Sequence, residues 1–261
     1  MIKALFFDID GTLVSFKTHK IEQSTVDAIE LAHSKGIKIF ISTGRPSVII
    51  NNLSQLQEKN LIDGYITMNG AYCFVGDDVL YESKMTKEDQ LSIIDFCKKT
   101  NSPCIFVEKN RMNVCQPDDL VKSIFYDFLK VTDMNIISFE EAAQKDCYQI
   151  TPFISKQMED SLALILKNAE IGRWHPAFTD ITSSGNTKQN GIAVIAKHFG
   201  FDISQTMAFG DGGNDIGMLK KAGIGVAMGQ ADKDVKSAAN YITSSVDDKG
   251  IYNAMKHFEI I

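Results

Sequence analysis

The chain has 261 residues, 44% of them hydrophobic and 23% charged, which is typical of a globular protein with one large or two smaller domains. The formal net charge of -6 argues against a nucleic-acid-binding surface. No apolar stretch approaches the roughly 20 residues that a membrane-spanning helix needs, so we expect no membrane partner. The N terminus leads straight into a predicted strand, so we expect no signal peptide and a cytoplasmic location.

The five cysteines are odd in number and lack the spacing of a zinc site. We therefore expect reduced and buried thiols, as in cytosolic proteins, and we do not expect a catalytic thiol. These residues are Cys73, Cys97, Cys104, Cys115 and Cys147.

Strand and helix signals alternate in the first third of the chain. A capping box at Ser24–Asp27 predicts one helix, which Gly36 ends, and Pro46 predicts the first turn of a second helix. Strands are expected at residues 4–7, 38–42 and 64–67. This βαβαβ order predicts a Rossmann-like, doubly wound parallel sheet that binds ligands at the carboxyl ends of its strands.

The alternation stops after the third strand. Residues 72–75 and 79–82 predict a hairpin, and the strands that follow it lie close together in the sequence, which indicates antiparallel pairing in a separate α/β layer. The helices predicted there are 86–99, 120–129 and 157–167, and the strands are 104–107, 112–115, 148–153, 170–174 and 178–182. The polar linker Ser183–Asn186 leads back to the first domain. We therefore expect a core of residues 1–82 and 184–261 and an inserted α/β domain of residues 83–183.

The parallel alternation resumes in the last part of the chain. Here we predict helices at 188–199, 216–222, 233–239 and 251–258, and strands at 206–209 and 224–228. The whole chain is thus expected to be an α/β protein with one inserted domain.

The first predicted strand ends in two carboxylates. Asp8 and Asp10 lie on the same face because side chains alternate along a strand. Two carboxylates this close repel each other unless a cation or a shared proton lies between them. Gly11 lets the backbone approach a ligand, and the amides of the turn can face an anion. Carboxylates for Mg²⁺ beside amides for phosphate indicate phosphoryl-transfer chemistry.

Polar residues follow four strands of the predicted sheet. Each group alone resembles an ordinary turn, because glycine, asparagine and aspartate are common there. Their convergence at one edge of one sheet favours a functional site. The four groups are Asp8 with Asp10, Thr43 with Arg45, Asn69 with Gly70, and Asp211 with Asn214 and Asp215.

These residues resemble the motifs of the haloacid dehalogenase (HAD) superfamily, most closely its Cof-type sugar-phosphate phosphatases with a large α/β cap of the C2B type. The resemblance covers essentially the whole chain and is closest to hexose-phosphate phosphatases, and it implies that residues 83–183 form the cap that sets substrate choice. The matching residues are Asp8-Ile9-Asp10-Gly11-Thr12, Ser42-Thr43-Gly44-Arg45, Lys188 and Gly210-Asp211-Gly212-Gly213-Asn214-Asp215.

The resemblance implies a Mg²⁺-dependent phosphatase reaction. Asp8 would attack phosphorus and form an aspartyl-phosphate, and Asp10 would act as the general acid and then the general base. Asp8, the backbone carbonyl of Asp10, and Asp211 would hold Mg²⁺, while Asn214 and Asp215 would orient those ligands.

The second and third motifs would bind the phosphoryl group. Thr43, Gly44 and Lys188, with the amides around Gly11, would hold its oxygens and neutralise their charge. Lys188 alone could equally be a solvated lysine that opposes a helix dipole. Arg45 could contact either the substrate or a carboxylate.

The inserted domain offers three candidates for contacts with a sugar. Trp174 could stack on a sugar face or pack in the domain core, and the second role is favoured. Arg173 is its neighbour, and Asp180 could bind a sugar hydroxyl or play a structural role at a strand end.

Two other readings of the motifs stay open. A phosphomutase or a disaccharide-phosphate phosphatase of the same superfamily would have the same motifs. A phospho-accepting regulatory or sensor domain would use Asp8 as a switch, but it would not need the acid/base group that Asp10 offers. The expected partner is a small phosphorylated metabolite such as a sugar phosphate. A monomer is compatible with the sequence, which does not determine the oligomeric state.

Overall fold

The computed structural model describes residues 1–131 and 133–261, without the side chains of Phe128 and Trp174. The strands are β1 Ala4–Phe7, β2 Lys38–Ser42, β3 Gly64–Thr67, β4 Tyr72–Val75, β5 Asp78–Glu82, β6 Cys104–Glu108, β7 Arg111–Cys115, β8 Met134–Ile136, β9 Gln149–Pro152, β10 Ala169–His175, β11 Phe178–Ser183, β12 Thr206–Gly210, β13 Ile224–Ala227 and β14 Tyr241–Ile242. The helices are α1 Gln23–Ser34, α2 Ser54–Gln57, α3 Lys87–Thr100, α4 Asp119–Val121, α5 Phe139–Gln144, α6 Lys156–Ala163, α7 Lys188–Phe199, α8 Ile216–Lys221, α9 Lys233–Ala238 and α10 Gly250–His257.

The chain divides into two compact units. The core unit comprises Met1–Gly44, Ile50–Glu82 and Thr187–Ile261, and the inserted unit comprises Arg45–Ile49 and Ser83–Asn186. The inserted unit ends at Asn186, whereas residue 183 was expected, and it also includes a five-residue segment that begins at Arg45, the last residue of the second motif.

The core unit contains an eight-stranded sheet in the order β14-β13-β12-β1-β2-β3-β4-β5. The pairs from β14 to β3 are parallel, and β4 and β5 extend the sheet as an antiparallel hairpin. Strand β1 lies between β12 and β2, with Phe7 in register with Phe209 and with Ile41. The carboxyl ends of β1, β2 and β12 are therefore neighbours, which brings together the loops that carry three of the predicted motifs.

Helices cover both faces of the core sheet. On one face, Leu5, Phe7 and Ile39 pack with apolar residues of α1 and α10. On the other face, Phe6 and Phe40 pack with apolar residues of α7, α8 and α9. Successive residues of one strand point to opposite faces, so both layers use the same strands. The predicted α/β class and the doubly wound parallel core are confirmed.

The inserted unit contains a six-stranded sheet in the order β10-β11-β9-β6-β7-β8. Its pairs are antiparallel except for β7 with β8. Helices α3, α5 and α6 pack on it through one apolar cluster, which includes Ile94, Phe106 and Leu162. Helix α4 continues through residues 122–128 with π-type hydrogen bonding.

Two of the predicted helices begin or extend differently in the structure. Helix α1 begins at Gln23 after Glu22, which makes no side-chain cap, so the predicted capping box at Ser24 is wrong. Ile21 is buried and forms a β-bridge with Val14, which keeps the chain extended up to Glu22.

The continuous helix predicted from Pro46 is also wrong. A short 3₁₀ turn at Ser47–Ile49 and the four-residue helix α2 replace it. Asn51 and Asn52 separate the two, and asparagine is a poor helix former. The apolar residues Leu53 and Leu56 are buried as expected, so their packing does not require one long helix.

Candidate active site

The site is built on the carboxyl ends of two adjacent strands. Asp8 directly follows β1 and is 7% exposed, and its amide donates to the carbonyl oxygen of Phe209 at 3.0 Å. Asp211 directly follows β12. The parallel pairing of β1 with β12 therefore brings these two carboxylates together from positions about 200 residues apart in the sequence.

Lys188 joins two of the carboxylates. It is the first residue of α7 and is 1% exposed, and its Nζ lies 2.6 Å from Asp8 Oδ1 and 2.6 Å from Asp215 Oδ1. Burial by itself lowers the pKa of Lys188, but the charges of Asp215 and Asp8 raise it above its usual value. Lys188 is thus a charged side chain inside the protein, held between two carboxylates.

The second carboxylate oxygen of Asp215 is also hydrogen-bonded. Its Oδ2 accepts hydrogen bonds from the amides of Asp211, at 3.0 Å, and Gly212, at 2.9 Å. Asp215 therefore fixes the turn that carries Asp211 and holds Lys188 at the same time. A carboxylate used in this way is better suited to orienting a metal ligand than to binding the metal directly.

Asp211 is oriented by the turn that follows β1. Thr12 Oγ1 donates to Asp211 Oδ1 at 2.9 Å. Gly11 has a φ of +85°, and a Cβ there would lie 2.2 Å from Asp211 Oδ2. Only glycine therefore fits this close approach between the two strand-end loops.

The cluster carries more negative than positive charge. One oxygen from each of Asp8, Asp211 and Asp215 lies within 4.8 Å of the others, the arrangement of a possible metal site among the described residues. Burial raises the pKa of Asp8 well above its usual range; the charge of Lys188 opposes this effect, and the charges of Asp215, Asp211 and Asp10 add to it. Burial and the charge of Asp215 raise the pKa of Asp211 to about 7. A bound cation would remove this electrostatic cost.

The other predicted core residues lie at the same sheet edge. Asp10 is partly buried and forms a β-bridge with Val14. Thr43 is buried after β2, and its carbonyl accepts from the amide of Asn69 at 3.0 Å. Asn214 Nδ2 donates to Asn69 Oδ1 at 3.0 Å, so the loops that follow β3 and β12 are in direct contact. Gly44 is the last residue of this segment of the core unit.

The remaining predicted residues belong to the inserted unit. Arg45 is buried and donates to the carbonyl oxygen of Ile49 at 3.0 Å. Arg173 binds Glu159 at 2.6 Å and also donates to three carbonyl oxygens of its own unit, which favours a structural role. Asp180 accepts from Thr151 Oγ1 at 2.7 Å. The side chain of Trp174 lies outside the described part of the structure.

Sequence reasoning gave no role to two residues of the site. Thr12 was part of the first motif, but nothing in its spacing indicated a bond to Asp211. Gln230 follows β13, and it contacts both Gly11 and Asp211. Because β13 is parallel to β12, the loop after it also reaches the site edge, so the strand-end argument could have been extended to Gln230.

The cysteines are free and buried, as expected. Burial raises the pKa of Cys73, Cys115 and Cys147 to about 12. A thiol with such a pKa is a poor nucleophile at neutral pH.

Known proteins share the sequence pattern and the fold of this chain. A family model described as haloacid dehalogenase-like hydrolase matches residues 5–255. The sugar phosphatase BT4131 of HAD subclass IIB is 59% identical, with a TM-score of 0.97 over 99% of this chain and 100% of that one. BT1666 from Bacteroides thetaiotaomicron, one of the phosphatases of the HAD superfamily, is 35% identical. Its TM-score is 0.87 over 100% of this chain and 96% of that one.

A third relative is the 5-amino-6-(5-phospho-D-ribitylamino)uracil phosphatase YcsE of Bacillus subtilis (strain 168). It is 28% identical over 98% of this chain and 96% of its own length. The chain belongs to the haloacid dehalogenase-like hydrolases, and within that family to the phosphatases. The resemblance to that superfamily in the motifs is therefore confirmed. In the described residues, no helix is long and apolar enough to cross a membrane.

Proposed function

We propose that this chain is a Mg²⁺-dependent phosphatase that hydrolyses phosphate monoesters of small metabolites, with hexose phosphates as its preferred substrates. The observation that carries the proposal is the buried cluster in which Lys188 Nζ lies 2.6 Å from both Asp8 and Asp215, beside Asp211. Three carboxylates with one ammonium group leave net negative charge in a buried place. A divalent cation balances that charge, and cation and ammonium together attract a phosphate group.

The residues present fit Mg²⁺, which prefers a few carboxylate oxygens and keeps several waters. Asp8, the carbonyl of Asp10, and Asp211 would hold the ion, because both oxygens of Asp215 already bind Lys188 and two amides. When bound, Mg²⁺ would supply positive charge for the phosphoryl oxygens. Asn214 and Asp215 would fix the loop that carries Asp211.

The chemistry would proceed in two displacements at phosphorus. A carboxylate oxygen of Asp8 would form a bond to phosphorus while the bond to the sugar oxygen breaks, and Asp10 would give a proton to that leaving oxygen. Asp10 would then take a proton from the water that attacks the aspartyl-phosphate, which releases phosphate and restores Asp8. Lys188, Thr43, Gly44 and the amides around Gly11 would hold the phosphoryl oxygens in both steps.

The proposed preference for a polyhydroxylated substrate is inferred from the substrates named for two similar proteins. One similar structure is that of a sugar phosphatase, and YcsE acts on a phosphorylated ribityl compound. We assign substrate choice to the inserted unit and keep Arg45, Trp174 and Asp180 as candidates for substrate contact. Arg173 is the weakest candidate, because most of its donors are used within its own unit.

A screen for phosphate release tests this function. Hexose phosphates, nucleotides and pyridoxal phosphate would be compared with Mg²⁺ and after chelation. We expect kcat/KM to be higher by about tenfold or more for hexose phosphates, since a site that binds hydroxyls rejects compounds without them. We also expect chelation to abolish the activity and Mg²⁺ to restore it. A flat profile would contradict the hexose assignment, and an isomerised product without phosphate release would indicate a phosphomutase.

The pKa of Asp211 gives a pH-dependent prediction. A carboxyl whose pKa is raised from 3.8 to about 7 on folding stabilises the metal-free protein below pH 3.8, and this contribution is lost as the pH rises to about 7. Mg²⁺ must displace that proton, so its apparent affinity should be about tenfold weaker at pH 6 than at pH 8. Thermal melts should therefore show a larger Mg²⁺-induced rise in Tm at pH 8.

Two variants control this measurement. Asp211→Asn removes a proposed ligand, so Mg²⁺ should no longer raise the Tm at either pH. Asp27→Asn makes the same chemical change at an exposed position of α1 and should behave like the wild type. Equal Mg²⁺-induced shifts at pH 6 and pH 8 in the wild type would count against a proton on Asp211.

A further inference from the structure

We infer that Gln230 is a positioning residue that holds Asp211 and the Gly11 carbonyl in the arrangement that binds Mg²⁺. The inference rests on the proposed function, because it takes Asp211 as a metal ligand. None of the motifs contains Gln230, which lies in the loop after β13.

The Gln230 carboxamide connects three segments of the core unit. Its Nε2 donates to the carbonyl oxygen of Gly11 at 2.5 Å, and the same side chain lies beside the carboxylate of Asp211, whose pKa it lowers. Its Oε1 accepts from the amide of Val246 at 3.0 Å. One planar group thus links the turn after Asp10, the loop after β12 and the turn before α10.

These bonds act on the groups that would hold the ion. A donor on the Gly11 carbonyl orients the Gly11–Thr12 peptide, which is the next peptide after the one that contains the Asp10 carbonyl, a proposed ligand. Thr12 donates to Asp211 and fixes the rotation of that carboxylate, and the Gln230 carboxamide beside it favours the charged form. Polar residues that orient metal ligands in this way typically contribute about 10- to 100-fold to metal affinity or activity.

Because Gln230 is exposed, a positioning role can be tested without a large loss of protein stability. Gln230 is an exposed residue, so its replacement leaves no cavity in the core. The contact with Val246 is the bond that a purely structural role would use. The contacts with Gly11 and Asp211 are those that a role in metal binding requires.

Two variants distinguish these contacts. Gln230→Met keeps the length of the side chain and removes both hydrogen bonds and the polar group beside Asp211. Gln230→Glu keeps an acceptor for the Val246 amide but cannot donate to Gly11. We expect Gln230→Met to raise the Kd for Mg²⁺, measured by calorimetry, about tenfold, and both variants to lower kcat about tenfold at saturating Mg²⁺. The KM for the sugar phosphate should change less than about twofold, because Gln230 orients ligands rather than substrate.

Ser15→Ala is the matched control. Ser15 Oγ donates to Asp247 at 2.6 Å, so this variant loosens the same loop from the same C-terminal turn without touching Gly11 or Asp211. It should keep the wild-type Kd for Mg²⁺ and the wild-type kcat. The inference is overturned if Ser15→Ala matches Gln230→Met, or if Gln230→Glu retains full kcat.

Measurements on the wild-type protein show whether this inference fails alone or together with the proposed function. A wild-type protein that hydrolyses phosphate esters with Mg²⁺ while Gln230→Met binds Mg²⁺ normally overturns the inference alone. A wild-type protein that binds no Mg²⁺ overturns both.

Discussion

Replacement of Asp8 by Asn is expected to lower phosphate release by at least about four orders of magnitude, because the carboxamide is a poor nucleophile and cannot form the aspartyl-phosphate. The loss should not come from unfolding. The raised pKa of Asp8 means that its charge is unfavourable in the folded, metal-free protein at neutral pH. The Tm of the metal-free Asp8→Asn protein at pH 8 should therefore equal or exceed that of the wild type.

Asp10→Asn provides the comparison for this variant. Loss of the acid/base group should lower kcat by about 10²- to 10⁴-fold with a sugar phosphate, whose alkoxide leaving group needs a proton. The loss should be smaller with p-nitrophenyl phosphate, whose leaving group does not need one. With the aryl substrate, intact-mass spectrometry should detect a phosphorylated chain in Asp10→Asn, since the second step is slowed. The Asp8→Asn protein and the double variant should stay unmodified. Wild-type turnover in Asp10→Asn, or a phosphorylated Asp8→Asn chain, would remove the proposed roles.

The polar residues at the ends of predicted strands indicated the centre of this site, because parallel strands bring their carboxyl ends to one edge of the sheet. Asp8 follows β1 and Asp211 follows β12, and the two strands pair in register from Ala4 with Thr206 to Phe7 with Phe209. Any two groups that follow such neighbouring strands must lie close together. The pattern of apolar residues predicted both strands and the shared edge of their polar ends, whereas the strand order that makes β1 and β12 neighbours comes from the structure.

The sequence left Lys188 ambiguous for a physical reason. A lysine in the first turn of a helix is unfavourable unless an anion faces it. That anion is formed by Asp8 and Asp215, which lie 180 and 27 positions away in the sequence. Only the packing of α7 on the sheet shows that the ammonium is buried between them.

Other features depended on contacts that no local pattern reports. The start of α1 is fixed by the bridge between Val14 and Ile21 rather than by the serine that resembled a cap. Strand β8, with three residues at the edge of the inserted sheet, is too short to show an alternating pattern. Helix α5 does carry a local signal, a capping box of Ser138 with Glu141, and could have been predicted from it.

Lys188→Met is expected to lower both stability and activity. Lys188 is 1% exposed and neutralises two buried carboxylates, and removal of one partner from such a group costs about 3 kcal/mol or more of unfolding free energy. The loss of a preorganised charge at the phosphoryl oxygens should lower kcat by about 10²- to 10³-fold. Lys188→Arg should not restore activity, because the larger planar guanidinium does not fit the enclosed space of an ammonium.

The pH dependence of this loss identifies its cause. At pH 8 the carboxylates of Lys188→Met repel each other without a counter-charge, whereas protonation of Asp8 at lower pH removes one of the charges. Urea unfolding should therefore show a deficit that is largest at pH 8, smaller at pH 5.5, and partly reversed by Mg²⁺, which restores positive charge. Lys197→Met removes the same charge from an exposed position of the same helix and should match the wild type. A Lys188→Met protein as stable as the wild type at pH 8 would mean that the carboxylate cluster does not need the ammonium group. That result would contradict the charge balance on which the proposed metal site rests.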